Sequence, residues 1–152
     1  KEMLHNLRET LWAMKSADVP AAGLWLRIIN FMKQMARHYG SIHFKVEGEA
    51  PGNFIISSAK ALHIILLLQE AVNNAVKHAS ATTITAESTV TKEGWNISVT
   101  DNGSGFDQAL LKSKQTDSYG LQNMQERATA SAIDFSIQST PEQGTTVMIT
   151  IK

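Results

Sequence analysis

The chain has 152 residues, enough for one domain with a substantial core, and its 14 Lys+Arg balance 14 Asp+Glu. A formal charge of zero leaves no basic field to hold nucleic acid or an anionic membrane surface, so direct contact with either is not expected. The absence of cysteine excludes disulfides, thiolate metal sites and cysteine nucleophiles, and a reducing, cytoplasmic setting is expected.

Residues 1–15 place Leu4, Leu7, Leu11 and Met14 three or four apart, a helical stripe with no partner inside its own segment. The stripe begins mid-pattern without a cap, as if continuing a longer helix, and has no signal-peptide core. The longest apolar run, residues 64–68, is too short to span a bilayer. Residues 16–20 read as a break, with Asp18 as a helix cap and Pro20 suited to a first turn. A second helix then runs to about residue 39, with Leu24, Ile28, Phe31, Met32 and Met35 on one side and Gly40 as its terminator. Ile42, Phe44 and Val46 alternate with His43, Lys45 and Glu47, the pattern of a half-buried strand. GEAPGN is a turn, residues 54–56 read as a short strand, and Ser57 or Ser58 is placed to cap a long helix.

That helix carries LQEAVNNAVKHA at residues 68–79. At about 100° per residue, Glu70, Asn74 and Lys77 fall within about 60° of one another. Ile65, Leu68, Val72, Ala75, Val76 and Ala79 gather on the opposite side. The carboxylate and the amide oxygen suit a hard cation such as Mg²⁺, and the ammonium suits phosphate. The same stripe is equally compatible with an ordinary solvated helix face.

Two β-like runs follow, residues 82–90 and 95–101, joined by TKEG in what reads as an antiparallel hairpin. Trp95, Ile97 and Val99 share a face, and Asp101 continues their parity, so a carboxylate is aimed to the apolar side and needs a donor. In the following DNGSGF, Gly103 and Gly105 let the backbone turn sharply and approach a ligand. Residues 108–119 read as a mobile loop. Gly120 then opens a helix from Leu121 to about residue 130, whose amino end suits an anion. Ile133, Phe135 and Ile137 mark one further strand, and after TPEQG the last strand carries Val147, Ile149 and Ile151. Thr145 shares their phase and should face the side of Asp101 if the two strands are neighbours.

Four blocks in fixed order, QEAVNNAVKHA, DNGSGF, YGLQNMQERA and QGTTV, resemble the N box, two glycine boxes and final Gly-Thr element of the Bergerat-fold ATP-binding family. That family includes sensor histidine kinases, type II topoisomerase ATPase subunits, Hsp90 and mismatch-repair ATPases. Within it the blocks are most similar to the nitrate-sensor-like class of bacterial sensor histidine kinases. The resemblance implies a two-layer α/β sandwich with a mixed, mostly antiparallel sheet packed on helices. It implies that residues 1–17 are the end of a dimerisation region and 18–152 the catalytic ATP-binding domain. Asn74 would ligate Mg²⁺, with Glu70 in its shell through water or polarising the acceptor, and Lys77 and His78 would contact phosphate. Asp101 would accept from the adenine amine, supported by Thr145. Gly103 and Gly105 would shape the adenine pocket, and Gly120 with Leu121 would close a lid.

ATP and Mg²⁺ are the implied cofactors. The implied partners are the protein's own dimerisation and phosphoacceptor domain and a response regulator, and a longer parent anchored in a membrane would fit the class. The acceptor box has no match in this chain: His5, in LHNLR, lacks its flanking residues, so the acceptor is expected elsewhere. Two other functions are carried forward: a serine kinase of the anti-sigma-factor type, and a nucleotide-gated interaction module without chemistry.

Overall fold

The computed structural model describes residues 18–78, 81–104 and 133–152. The expected helices at 1–15 and 121–130, the loop at 108–119, and Gly105, Gly120 and Leu121 lie outside the described residues. In chain order the elements are β1 (Asp18–Pro20), α1 (Ala21–His38), β2 (His43–Glu47), β3 (Ile55–Ser57) and α2 (Ser58–His78). The strands β4 (Thr83–Thr91), β5 (Gly94–Asp101), β6 (Asp134–Thr140) and β7 (Gly144–Ile151) follow. A five-stranded sheet has the order β2-β4-β5-β7-β6, and β1 and β3 form a separate two-stranded ribbon. Among the described strands only β2 and β4 run parallel, as the intervening α2 crossover requires, and the other pairs are antiparallel. The mixed, mostly antiparallel sheet expected from the sequence is therefore what forms.

The start of α1 departs from expectation. Asp18 is not its cap: it lies in β1, paired with Ser57, and Pro20 is the extended residue before the helix. The first helical N–H, of Ala21, donates to the Phe54 carbonyl at 2.8 Å, so a tertiary contact replaces a side-chain cap. Leu24, Trp25, Ile28 and Met32 are buried, while Phe31 and Met35 pack at the core's margin. At the other end Tyr39 closes the helix by donating to the Met35 carbonyl, and Gly40 does not adopt the left-handed conformation of a glycine terminator. Arg37 and His38 in the last turn complement the helix dipole.

For α2 the expected cap forms, with Ser57 Oγ accepting from the Lys60 N–H at 3.3 Å. Its buried arc is wider than a simple amphipathic stripe: Ala61, Ile64, Leu67 and Ala71 are buried alongside Ile65, Leu68, Val72 and Ala75. The reason is that α2 is covered on two sides, by α1 and by the sheet. Ile28 and Met32 of α1, Ile65, Leu68 and Val72 of α2, and Ala86 and Val99 of the sheet meet around a cavity of about 10 Å³, room for one water.

The hairpin of β4 and β5 closes over two residues, with Thr91 opposite Gly94, and alternation then puts Trp95, Ile97 and Val99 in the core. Trp95 lies edge-on to Trp25 and Phe54, at centroid distances of 6.4 Å and 6.1 Å. Its Nε1–H donates to Ser88 Oγ at 2.6 Å, and Ser88 Oγ donates to the Glu49 carbonyl at 2.7 Å, so the buried indole is fully satisfied. The opposite face of the sheet is polar, with Thr100 against Thr146 and Thr150 donating to Asn96.

Candidate functional site

Strand β5 ends in the carboxylate that the sequence aimed inward. Asp101 is 6% exposed, on the same face as Val99, which lines the cavity under the two helices. The Gly103 N–H donates to Asp101 Oδ1 at 2.8 Å, a turn that returns the chain over its own side chain. In the sheet Asp101 stands between Ile84 of β4 and Thr145 of β7, confirming that the strands carrying Asp101 and Thr145 are neighbours. Burial pushes the Asp101 carboxyl above the usual carboxylate range, and hydrogen bonds from the Gly103 and Thr145 backbone oppose that rise without cancelling it.

Thr145 does not face Asp101 alone. Its hydroxyl pairs with Ser139 Oγ at 2.7 Å, across the β6–β7 register that sets the two residues opposite each other. Ser139 is buried, and it was missed in the sequence although it continues the inward parity of Phe135 and Ile137. Gly144, at φ +90°, brings β7 so close to β5 that a Cβ there would run into the Asp101 carbonyl. This explains the Gly-Thr pair physically: the glycine permits the approach and the threonine follows on the carboxylate's side.

Glu70, Asn74 and Lys77 occupy the C-terminal half of α2. Glu70 and Asn74 are half-buried and Lys77 is exposed, and the helix ends at His78. Thr82 follows His78 by four residues, a reach of at most about 14 Å, and Thr82 is hydrogen-bonded to Asn102, the residue after Asp101. The exit of α2 and the end of β5 therefore lie at one end of the sheet, and the Asp101 side chain points to the side the helices cover. Of the sequence-predicted residues, Asp101, Gly103 and Thr145 form one cluster, and Glu70, Asn74 and Lys77 form a stripe on the helix that leads to it. Among the described residues no group of three or more His, Cys, Asp and Glu is arranged to cage a metal.

This arrangement of an inward aspartate, a glycine turn and a Gly-Thr strand falls inside a match to a known family model. The model describes histidine kinase-, DNA gyrase B- and HSP90-like ATPases, and it matches residues 59–152. The chain belongs to this ATPase family. The family membership read from the four sequence blocks is thereby borne out. Among curated proteins, this ATPase domain is 34% identical over 110 residues to the signal transduction histidine-protein kinase/phosphatase DegS of Bacillus subtilis, covering 72% of this chain and 28% of that protein. It is 36% identical over 87 residues to the sensor protein VraS of Staphylococcus saprophyticus, covering 57% of this chain and 24% of that one. The chain thus spans about a quarter of the length of these relatives. Among solved structures, the ATP-binding domain of PrrB from Mycobacterium tuberculosis superposes with a TM-score of 0.62 at 23% identity, over 87% of this chain and 93% of that one. A histidine kinase domain from Erythrobacter litoralis gives 0.66 at 19% identity, over 88% and 61%. These likenesses establish the fold, the two-layer sandwich expected from the sequence. Among the described residues no helix is long and apolar enough to cross a membrane.

Proposed function

We propose that this ATPase domain is the cytoplasmic catalytic part of a sensor histidine kinase whose longer parent is membrane-anchored, holding Mg·ATP and donating its γ-phosphoryl group to a histidine on a dimerisation domain. The observation that carries this reading is the buried Asp101 carboxylate, fixed by Gly103 and set beside Thr145 at the helix-covered end of the sheet. A carboxylate held there accepts from the exocyclic amine of adenine, and a charge-assisted hydrogen bond of this kind is worth about 1.5–3 kcal/mol.

The oxygen donors on α2 fit Mg²⁺ in kind, since Asn74 supplies an amide oxygen and Glu70 a carboxylate one turn away, both half-buried. Held by Asn74, with Glu70 in its shell, Mg²⁺ would supply neutralisation of the charge gathered on the phosphates. Lys77 and His78, at the end of the same helix, are assigned to phosphate. Gly103 is assigned to the purine pocket, and the pocket and lid roles that the resemblance implies for Gly105, Gly120 and Leu121 fall on residues outside those described. In the transfer, a histidine nitrogen attacks the γ-phosphorus while the bond to the ADP oxygen breaks, and the protein's work is alignment and charge compensation. The acceptor domain, a response regulator as the next carrier, and residues 1–17 as the tail of the dimerisation region belong to the same proposal.

The test supplies Mg·ATP and a separate dimerisation domain of the DegS or VraS type. Phosphohistidine should form, Asn74→Ala should abolish it, and Asn73→Ala, one residue away and also half-buried, should leave it within about twofold. Equal loss in both variants would remove the magnesium role from Asn74. Tight nucleotide binding without transfer to any supplied histidine would favour an interaction module instead.

A further inference from the structure

We propose that Asn102 is a positioning residue for the nucleotide, locking the turn that carries Asp101 to the segment leaving α2. The side chain is exposed, and both its polar atoms are hydrogen-bonded. Its Oδ1 accepts from the Thr82 and Thr83 N–H groups, both at 2.9 Å, and its Nδ2 donates to Thr82 Oγ1 at 2.8 Å. Its own N–H donates to the Thr83 carbonyl at 3.3 Å, and the Thr82 carbonyl in turn accepts from the His43 N–H at 2.8 Å. Both side-chain polar atoms of Asn102 are therefore turned back onto Thr82 and Thr83, at the entry to β4.

These bonds lie at the surface, where water would satisfy the same groups at little cost, so their main product is geometry rather than stability. The geometry concerns the two ends of one ligand. Asp101 is one residue from Asn102, and Asn74 lies one turn inside the helix whose exit Asn102 holds. If adenine sits on Asp101 and Mg·triphosphate on Asn74, as proposed above, the second contact is effectively intramolecular. Its advantage depends on how firmly the separation of the two sites is held. Loosening the tie lowers that advantage while leaving both contacts chemically intact.

The two ligands that separate these effects are Mg·ATP, which spans both ends, and adenosine, which touches only the purine end. Both are titrated calorimetrically into the 152-residue chain, wild type and variants, with melting followed alongside. In Asn102→Ala the affinity for Mg·ATP should fall at least about tenfold and that for adenosine less than about threefold, with little change in melting. Asn102→Asp should recover most of the loss, because a carboxylate accepts from both N–H groups and from the Thr82 hydroxyl. Equal weakening toward both ligands, no weakening toward either, or failure of Asn102→Asp to recover Mg·ATP binding would each overturn the role. A wild-type chain that bound no Mg·ATP would remove the proposed kinase site together with this one. Normal wild-type binding with an unaffected Asn102→Ala would remove this inference alone.

Discussion

Asp101→Asn separates what the carboxylate does for ligand binding from what it costs the fold. The replacement is isosteric, and an amide oxygen can keep the bond from the Gly103 N–H, now 2.8 Å long, so the turn should persist. The charge is lost, and with it the charge-assisted bond to the adenine amine. A loss of about 1.5–3 kcal/mol corresponds to an affinity for Mg·ATP weakened about 10- to 150-fold. Stability should move the other way. Burial raises the folded-state affinity of this carboxyl for its proton above that of the unfolded chain. Its contribution to stability is therefore fully present below the usual carboxylate range and is lost as pH rises through the higher folded-state value, leaving a constant penalty at neutral pH. The neutral amide escapes that penalty, so Asp101→Asn should melt no lower than wild type at pH 7 and should lack this acid-side decline. Calorimetric titration with Mg·ATP and melts from pH 4 to pH 8 measure both quantities. Unchanged affinity, or a variant that melts well below wild type at neutral pH, would refute the reasoning.

Two further substitutions probe the scaffold. Trp95→Phe removes the Nε1–H bond to Ser88 and part of a fully buried ring, which should cost about 2 kcal/mol, or about 4–8 °C in Tm. Because Trp95 is six residues along β5 from Asp101, about 20 Å away, Mg·ATP affinity measured on the folded protein should be unchanged. Gly144→Ala puts a Cβ against the Asp101 carbonyl at a left-handed backbone position. It should cost about 2–4 kcal/mol in denaturant unfolding and, unlike Trp95→Phe, should weaken nucleotide binding as well.

Much of this site is legible in local pattern. The parity of Trp95, Ile97 and Val99 predicts an inward Asp101, and the phase of Val147 predicts that Thr145 joins it if the strands pair, which the β5–β7 register shows. A serine cap for α2 was legible as Ser57 or Ser58, and the structure gives the role to Ser57. At the start of α1 the reading failed because a distant residue had taken the role assigned to a near one. Asp18 looked like a cap because it precedes a proline and a helix, yet Phe54 supplies the acceptor and Asp18 enters a ribbon with Ser57. Gly40 looked like a terminator, yet the helix closes one residue earlier on its own carbonyl.

By itself the sequence determined the inward carboxylate, the long helix that carries Asn74 and the hairpin, because periodicity and turn chemistry depend on residues within a few positions of one another, and the family was legible in the resemblance of four blocks. Only the tertiary structure decided that β2 pairs parallel to β4, that α2 is buried on two sides, and that Ser139 lies behind Thr145. The same holds for Asn102, whose side chain bonds Thr82 and Thr83. Each of these depends on a hydrogen bond or a packed layer between elements that meet only in the folded chain. Such partners are set by sheet register and by which face a helix covers, and no local run of residues encodes either.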